Sequence, residues 1–264
     1  MPNEAKVYPV GINESRLLTL DRVQQKLSGM GFTDQPIQVN DQSYLFIQNK
    51  IGSKLVYNVV SGGFSYSYDW TNDTQVTSSH NIPVGADAIS QAKDYLNSVG
   101  SLSEDLVSGN AKLTYLIISG SALIPTDSVY DANIVRVDLF RADKDQMPIV
   151  TVGGDTSPIE VMISGLTDEK KVVQANFQYS QVLDNDYATY PIITPQQAWT
   201  DLTKGRAYVA KRTVDNVIIR KVSLAYFESN DPQKFLQPVY LFEGDGGFMA
   251  YVQAVDPKDV GTAQ

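Results

Sequence analysis

The feature that most constrains this chain is a recurring order of elements. A short helix comes first, then a glycine that stops it, then a meander of strands with alternating polarity. The order is clear at 19–70 and sharpest at 194–255, with a looser version at 86–182 between them. A helix with one apolar stripe and a meander with one apolar face can bury those surfaces only against each other. Each occurrence therefore predicts a sheet roofed by one helix. The expected fold class is α+β, made of successive helix-plus-antiparallel-sheet modules. Three are expected: an N-terminal helix-plus-meander module at 1–80, a central helix with a long-stranded antiparallel sheet at 81–185, and a C-terminal module at 186–264.

In the first module Thr19 reads as a helix cap, with Leu20, Val23, Leu27 and Met30 at helical spacing behind it. Strands are expected at 37–39, 43–48 and 54–60. Next come Phe64, Tyr66, Tyr68 and Trp70, an aromatic at every second position, separated by Ser65, Ser67 and Asp69. Period two puts the four rings on one face of one strand. The second helix is expected at 86–99, stopped by Gly100. Long strands follow at 112–118, 134–141, 147–152, 159–164 and 172–179. The stretch at 184–190 reads as a polar link. Thr194-Pro195-Gln196-Gln197 then combines a Thr cap, a proline at the first helical position and a Gln that closes a capping box. Strands at 217–227, 236–242 and 248–255 finish the chain. Pro238 has no N–H for a ladder, which predicts a strand that starts there or lies at an edge.

Composition removes several functions. Among 264 residues, Asp and Glu outnumber Lys and Arg by 30 to 21, a net charge of −9. The basic residues are scattered, so a phosphate-binding stripe, and with it nucleic acid, is not expected. There is no cysteine and one histidine, His80, in a polar connection. That leaves no base for a serine or cysteine nucleophile and no ligand set for zinc. No metal, no cofactor and no enzymatic activity are expected. Asp69, Asn72 and Asp73 carry oxygens that would suit an irregular calcium site, but Asp and Asn are also the standard turn formers, and that is the role expected of them. Glu228 and Glu243 are the one carboxylate pair that would suit glycoside hydrolysis, and position alone marks them. The binding candidates are Phe64, Tyr66, Tyr68 and Trp70. Exposed, that row would suit a peptide, a glycan or a partner protein; buried, it is a sheet face packed on a helix.

The C-terminal segment carries a resemblance. Thr194, Pro195 and Ala198 open its helix; Tyr226, Pro238, Val239, Tyr240, Tyr251, Val252 and Ala254 mark the strands after it. This pattern resembles PepSY-like modules and the related YycH/YycI-type extracytoplasmic regulators over 190–255, and more weakly over 86–182. The resemblance implies a bacterial envelope protein that contacts a protein partner, such as a sensor kinase or protease, without catalysis. It also implies a membrane anchor upstream, which the abrupt apolar run at 7–12 would then follow. The motif residues are scaffold, so no functional site transfers. Two other readings are a carbohydrate-binding or carbohydrate-cleaving envelope protein using 64–70, and a structural spacer.

Overall fold

The computed structural model describes residues 2–11, 16–231, 233–256 and 258, with side chains from residue 19 on in the first helix. In chain order the elements are β1 (Glu4–Pro9), α1 (Arg16–Ser28), β2 (Ile37–Gln38), β3 (Ser43–Gln48), β4 (Ser53–Asn58) and β5 (Phe64–Ser67). Then follow α2 (Thr74–Ser78), α3 (Gly85–Val99), α4 (Glu104–Ser108), β6 (Ala111–Ser119), β7 (Ala122–Thr126), β8 (Ile134–Leu139), β9 (Ile149–Thr151), β10 (Ile159–Ser164) and β11 (Val172–Phe177). The last are β12 (Ala188–Pro191), α5 (Pro195–Thr203), β13 (Tyr208–Lys211), β14 (Ile219–Glu228), β15 (Phe235–Gly244) and β16 (Phe248–Gln253). The chain is α+β with large antiparallel sheets, as the patterning predicts.

The three-module division is corrected. The chain forms two compact units: Met1–Gly11 with Ala142–Ser157 and Ser180–Gln264, and Ile12–Arg141 with Pro158–Tyr179. The second unit holds one nine-stranded sheet in the order β2-β3-β4-β5-β11-β10-β8-β6-β7. Its first meander does not end at β5. That strand pairs with β4 on one flank and β11 on the other, setting Phe64 opposite Phe177 and Tyr66 opposite Ala175. An apolar strand left at an edge would expose its N–H and C=O groups, and pairing with β11 satisfies them. Helix α3 packs on β8 and β10 through Ala88, Ala92, Leu96 and Val99, all buried. It stops where Gly100 takes φ +78°, a left-handed turn that lets Ser101 N–H reach Leu96 C=O at 2.8 Å. Helix α1 begins at Arg16, so Thr19 lies inside it and is not its cap.

The other unit holds a seven-stranded sheet. The path β12-β1-β15-β14-β9 forms most of it, and β16 joins β15 to β13. Its helix, α5, has the expected capping box: Gln197 N–H donates to Thr194 Oγ1, and Thr194 N–H donates to Gln197 Oε1. Ala198 is buried with Tyr240, Phe242, Ala250 and Val252. The opening stretch pairs with the C-terminal strands, Tyr8 against Leu236 and Ala5 against Tyr190. Ile12, the end of the apolar run, lies outside the described residues.

Pro238 sits inside a central strand rather than at its start or at an edge. It faces Tyr226, whose N–H donates to Pro148 C=O on the opposite flank. The missing proline N–H thus points away from β14, where pairing of β15 passes from β1 to β16. On that flank Pro238 C=O accepts from Ala254 N–H at 3.1 Å, and Ile193 N–H, donating to Ala254 C=O at 2.8 Å, supplies the return bond that proline cannot make, so the position tolerates proline.

Candidate functional site

The aromatic row is in the core. Phe64 and Tyr66 are 4% exposed, Tyr68 and Trp70 9%, while Ser65 and Ser67 face outward. The alternation is as read, but the strand ends at Ser67, so Tyr68 lies one residue past it and Trp70 three, in a single 3₁₀ turn. An exposed binding row at Phe64, Tyr66, Tyr68 and Trp70 is therefore corrected to a packing face. The cause is cumulative: Phe64 stacks on Phe177, and Tyr66 meets Phe32 edge-on and Tyr95 at a tilt. Tyr66 also lines a cavity of about 210 Å³ with Met30, Phe32, Gln48 and Tyr95.

The other sequence candidates separate. Glu243 faces Lys221 across the β14–β15 pair, whereas Glu228 lies seven residues further along β14. That is about 23 Å of extended chain, too far for a hydrolytic pair. Asp69 accepts from Thr71 Oγ1 and Asn72 Nδ2, a turn-forming role. Asp73 caps α2 through Gln75 N–H and also accepts from Tyr68. Hydrogen bonds from Lys170 first and Tyr68 second bring its carboxyl down to about 2. Among the described residues no group of three or more His, Asp or Glu side chains is gathered to hold a metal ion. His80 is exposed in the connection between α2 and α3.

A site that sequence reasoning missed lies in the seven-stranded unit. A groove of about 660 Å³ is lined by residues of β1, of β14 and of the turn before β9, among them Ala5, Lys6, Gln146, Val222, Ser223 and Leu224. One end is closed by Asp145. Tyr8 Oη donates to its carboxylate at 2.5 Å and Tyr226 Oη at 3.3 Å, while Lys6 Nζ lies 3.5 Å away. Burial opposes the Asp145 charge, but the Tyr8 hydroxyl and Lys6 outweigh it, and the carboxyl falls below its usual range. Burial first, then the Asp145 carboxylate, push the hydroxyls of Tyr8 and Tyr226 far above the ordinary tyrosine range. A carboxylate so saturated with donors is an anchor rather than a base.

What it anchors is a strained turn. Lys144 and Met147 exchange backbone bonds, and the two residues between them are left-handed without being glycine: Asp145 at φ +50° and Gln146 at φ +64°. This turn delivers the chain into β9, which runs parallel to β14 and pairs only with Tyr226, Phe227 and Glu228. Among the described residues no strand pairs with that flank of β14 before Tyr226. Ser223 Oγ, midway along the open stretch, is enclosed without a hydrogen-bond partner.

No family model and no curated protein matches the chain. Solved structures do. An uncharacterized protein from Eubacterium rectale ATCC 33656 is 12% identical with a TM-score of 0.49, covering 96% of this chain and 84% of that one. The YpeB C-terminal domain of Bacillus megaterium is 12% identical with a TM-score of 0.35, covering 89% and 97%. YycH from Bacillus subtilis is 14% identical with a TM-score of 0.34; 94% of this chain spans 52% of that protein.

Two further facts bear on the site. No helix among the described residues is long and apolar enough to cross a membrane. The polar run Asp143-Lys144-Asp145 marks a turn in the sequence, but the tyrosine partners of Asp145 stand 137 and 81 residues away. Only the topology brings them together.

Proposed function

We propose that the chain is a non-enzymatic bacterial envelope protein that works by holding a protein partner, such as a membrane sensor kinase or a protease. The observation that carries this reading is the open flank of β14 beside a groove, in a sheet whose other long strands are paired. Exposed strand flanks are costly to leave bare and serve readily as contact surfaces. The pattern at 190–255 that resembles PepSY-like and YycH/YycI-type regulators supports the envelope setting, and with it an anchor upstream. The Asp145 carboxylate, held by two hydroxyls and a lysine, fits a scaffold role better than a catalytic one.

The test is photo-crosslinking in intact cells. A light-activated residue replacing Ser223 is expected to give one discrete adduct with an envelope protein, and the same residue replacing Ser65 is expected to give none. External protease should reach the adduct without lysis. Adducts absent at Ser223, or equal at both positions, would leave the structural-spacer reading in place of this one.

A further inference from the structure

We infer that the open flank of β14 takes up an extended segment of the partner by strand addition, through the backbone groups of Val222 and Leu224. This rests on the partner-holding reading and names the chemistry of the same groove.

The hydrogen-bond parity of β14 supports it. Partners run without a slip from Lys221 opposite Glu243 to Phe227 opposite Gln237, so alternate residues keep one orientation. Tyr226 N–H leaves the β15 side and donates to Pro148 C=O at 2.8 Å. Leu224 and Val222 share its parity, so their N–H and C=O groups also point away from β15, onto the open flank. The ladder to β9 stops there for a chemical reason. In a parallel pair the next bond would run from residue 148 N–H to Leu224 C=O, and Pro148 has no N–H. Upstream of Pro148 the left-handed Asp145 and Gln146 turn the chain back on itself, so Met147 bonds to Lys144 and not to β14.

Among the described residues the lane beside β14 is taken by β9 from Tyr226 onward and by no strand before it. It offers donors and acceptors at a two-residue repeat, about 6.6–6.8 Å. Extended backbone is the complement of that array, and a sugar or a helix is not. The side chains of Val222 and Leu224 lie on one face and help line the groove together with Ala5 and Lys6, Leu224 itself being buried. A bound segment should therefore carry apolar residues at every second position. Since Lys6 is already paired with Asp145, net charge should matter less than this alternation.

The experiment selects binders to the full chain from a phage-displayed library of random linear peptides about a dozen residues long, then studies one winner as a synthetic peptide. Amide exchange should slow at Leu224 and Val222 on binding, while Ser223 and Ala225, which bond to β15, should not change. N-methylation of alternate peptide residues should abolish binding for one parity and spare it for the other. Val222→Pro removes an outward N–H only and should weaken binding by about tenfold or more, with the far-ultraviolet spectrum unchanged. Should that variant misfold, the N-methyl series on the wild-type chain decides alone. Failure to select any peptide, binding indifferent to N-methylation, or protection elsewhere would overturn the inference. So would self-association that competes for Val222 and Leu224, which would give the flank to a second copy. A partner adduct at Ser223 without peptide binding sinks strand addition and leaves the broader reading standing; loss of both sinks both.

Discussion

At the scale of single residues, a half-buried carboxylate and a buried arginine act as a rivet. Asp105 follows the cap of α4 and accepts from Arg141 Nε at 2.6 Å, from Ser103 at 2.5 Å and from Tyr179 at 3.2 Å. The guanidinium also lies over the Tyr179 ring at 4.4 Å, and the Arg141 side chain is 5% exposed. Burial works against the Asp105 charge, yet Arg141 and the hydroxyls hold its carboxyl below the usual range. Asp105→Asn removes the charged oxygen to which Arg141 Nε donates, so it should cost about 2 kcal/mol, read from urea unfolding at neutral pH. The sign of the pH effect follows from linkage. A carboxyl lower in the folded state contributes stability above its unfolded value near 4, and loses it as pH falls through the folded value. The wild type should therefore lose its advantage over Asp105→Asn on acidification. A gap that stayed constant down to pH about 2 would refute the assignment.

At the scale of elements, what could be read from the sequence was what local chemistry decides. The α5 capping box was visible in four consecutive residues and is formed as expected. Thr194→Ala should destabilise that unit by about 1 kcal/mol, with Thr194→Ser close to wild type, in thermal unfolding followed at Trp199. Equal loss from both substitutions would show that the methyl packing, not the cap, matters. The helix α3, its stop at Gly100 and the strands β3 and β10 were equally legible, because period and stop signal agree. Four strands were not foreseen: β1, β7, β12 and β13. β7 and β12 lie at sheet edges, and β12 and β13 are short and mostly exposed. Their pairing partners decide them, since their own pattern is weak. Pro238 misled for a related reason. A rule about proline in strands depends on which flank the absent N–H would face, and parity across two neighbours settles that.

At the scale of the molecule, the error in the three-module reading has a physical source: it assumed that chain order is spatial order. The chain passes between the two units at 11/12, 141/142, 157/158 and 179/180, so neither unit is one continuous segment. Residues 186–264 alone would keep α5 and β13 to β16 but lose β1 and β9. Tyr226 and Leu236 would then be stripped of Tyr8 and Ile149, with which they share a buried cluster. Residues 81–185 alone would keep β11 without β5, baring one whole flank of an apolar strand. Residues 1–80 would keep β5 without β11. Each exposed flank adds unsatisfied backbone groups to lost apolar burial, and the stability of a domain this size is only about 5–15 kcal/mol. The three pieces cut at 80/81 and 185/186 are therefore expected to be expanded, to bind a hydrophobic dye and to give collapsed amide spectra, while the whole chain gives a dispersed one. A dispersed spectrum and a cooperative melt from any one of them would restore a modular chain. The same two-unit architecture leaves β14 with its open flank, because only a three-residue strand, β9, enters the lane beside it, and Pro148 ends that pairing.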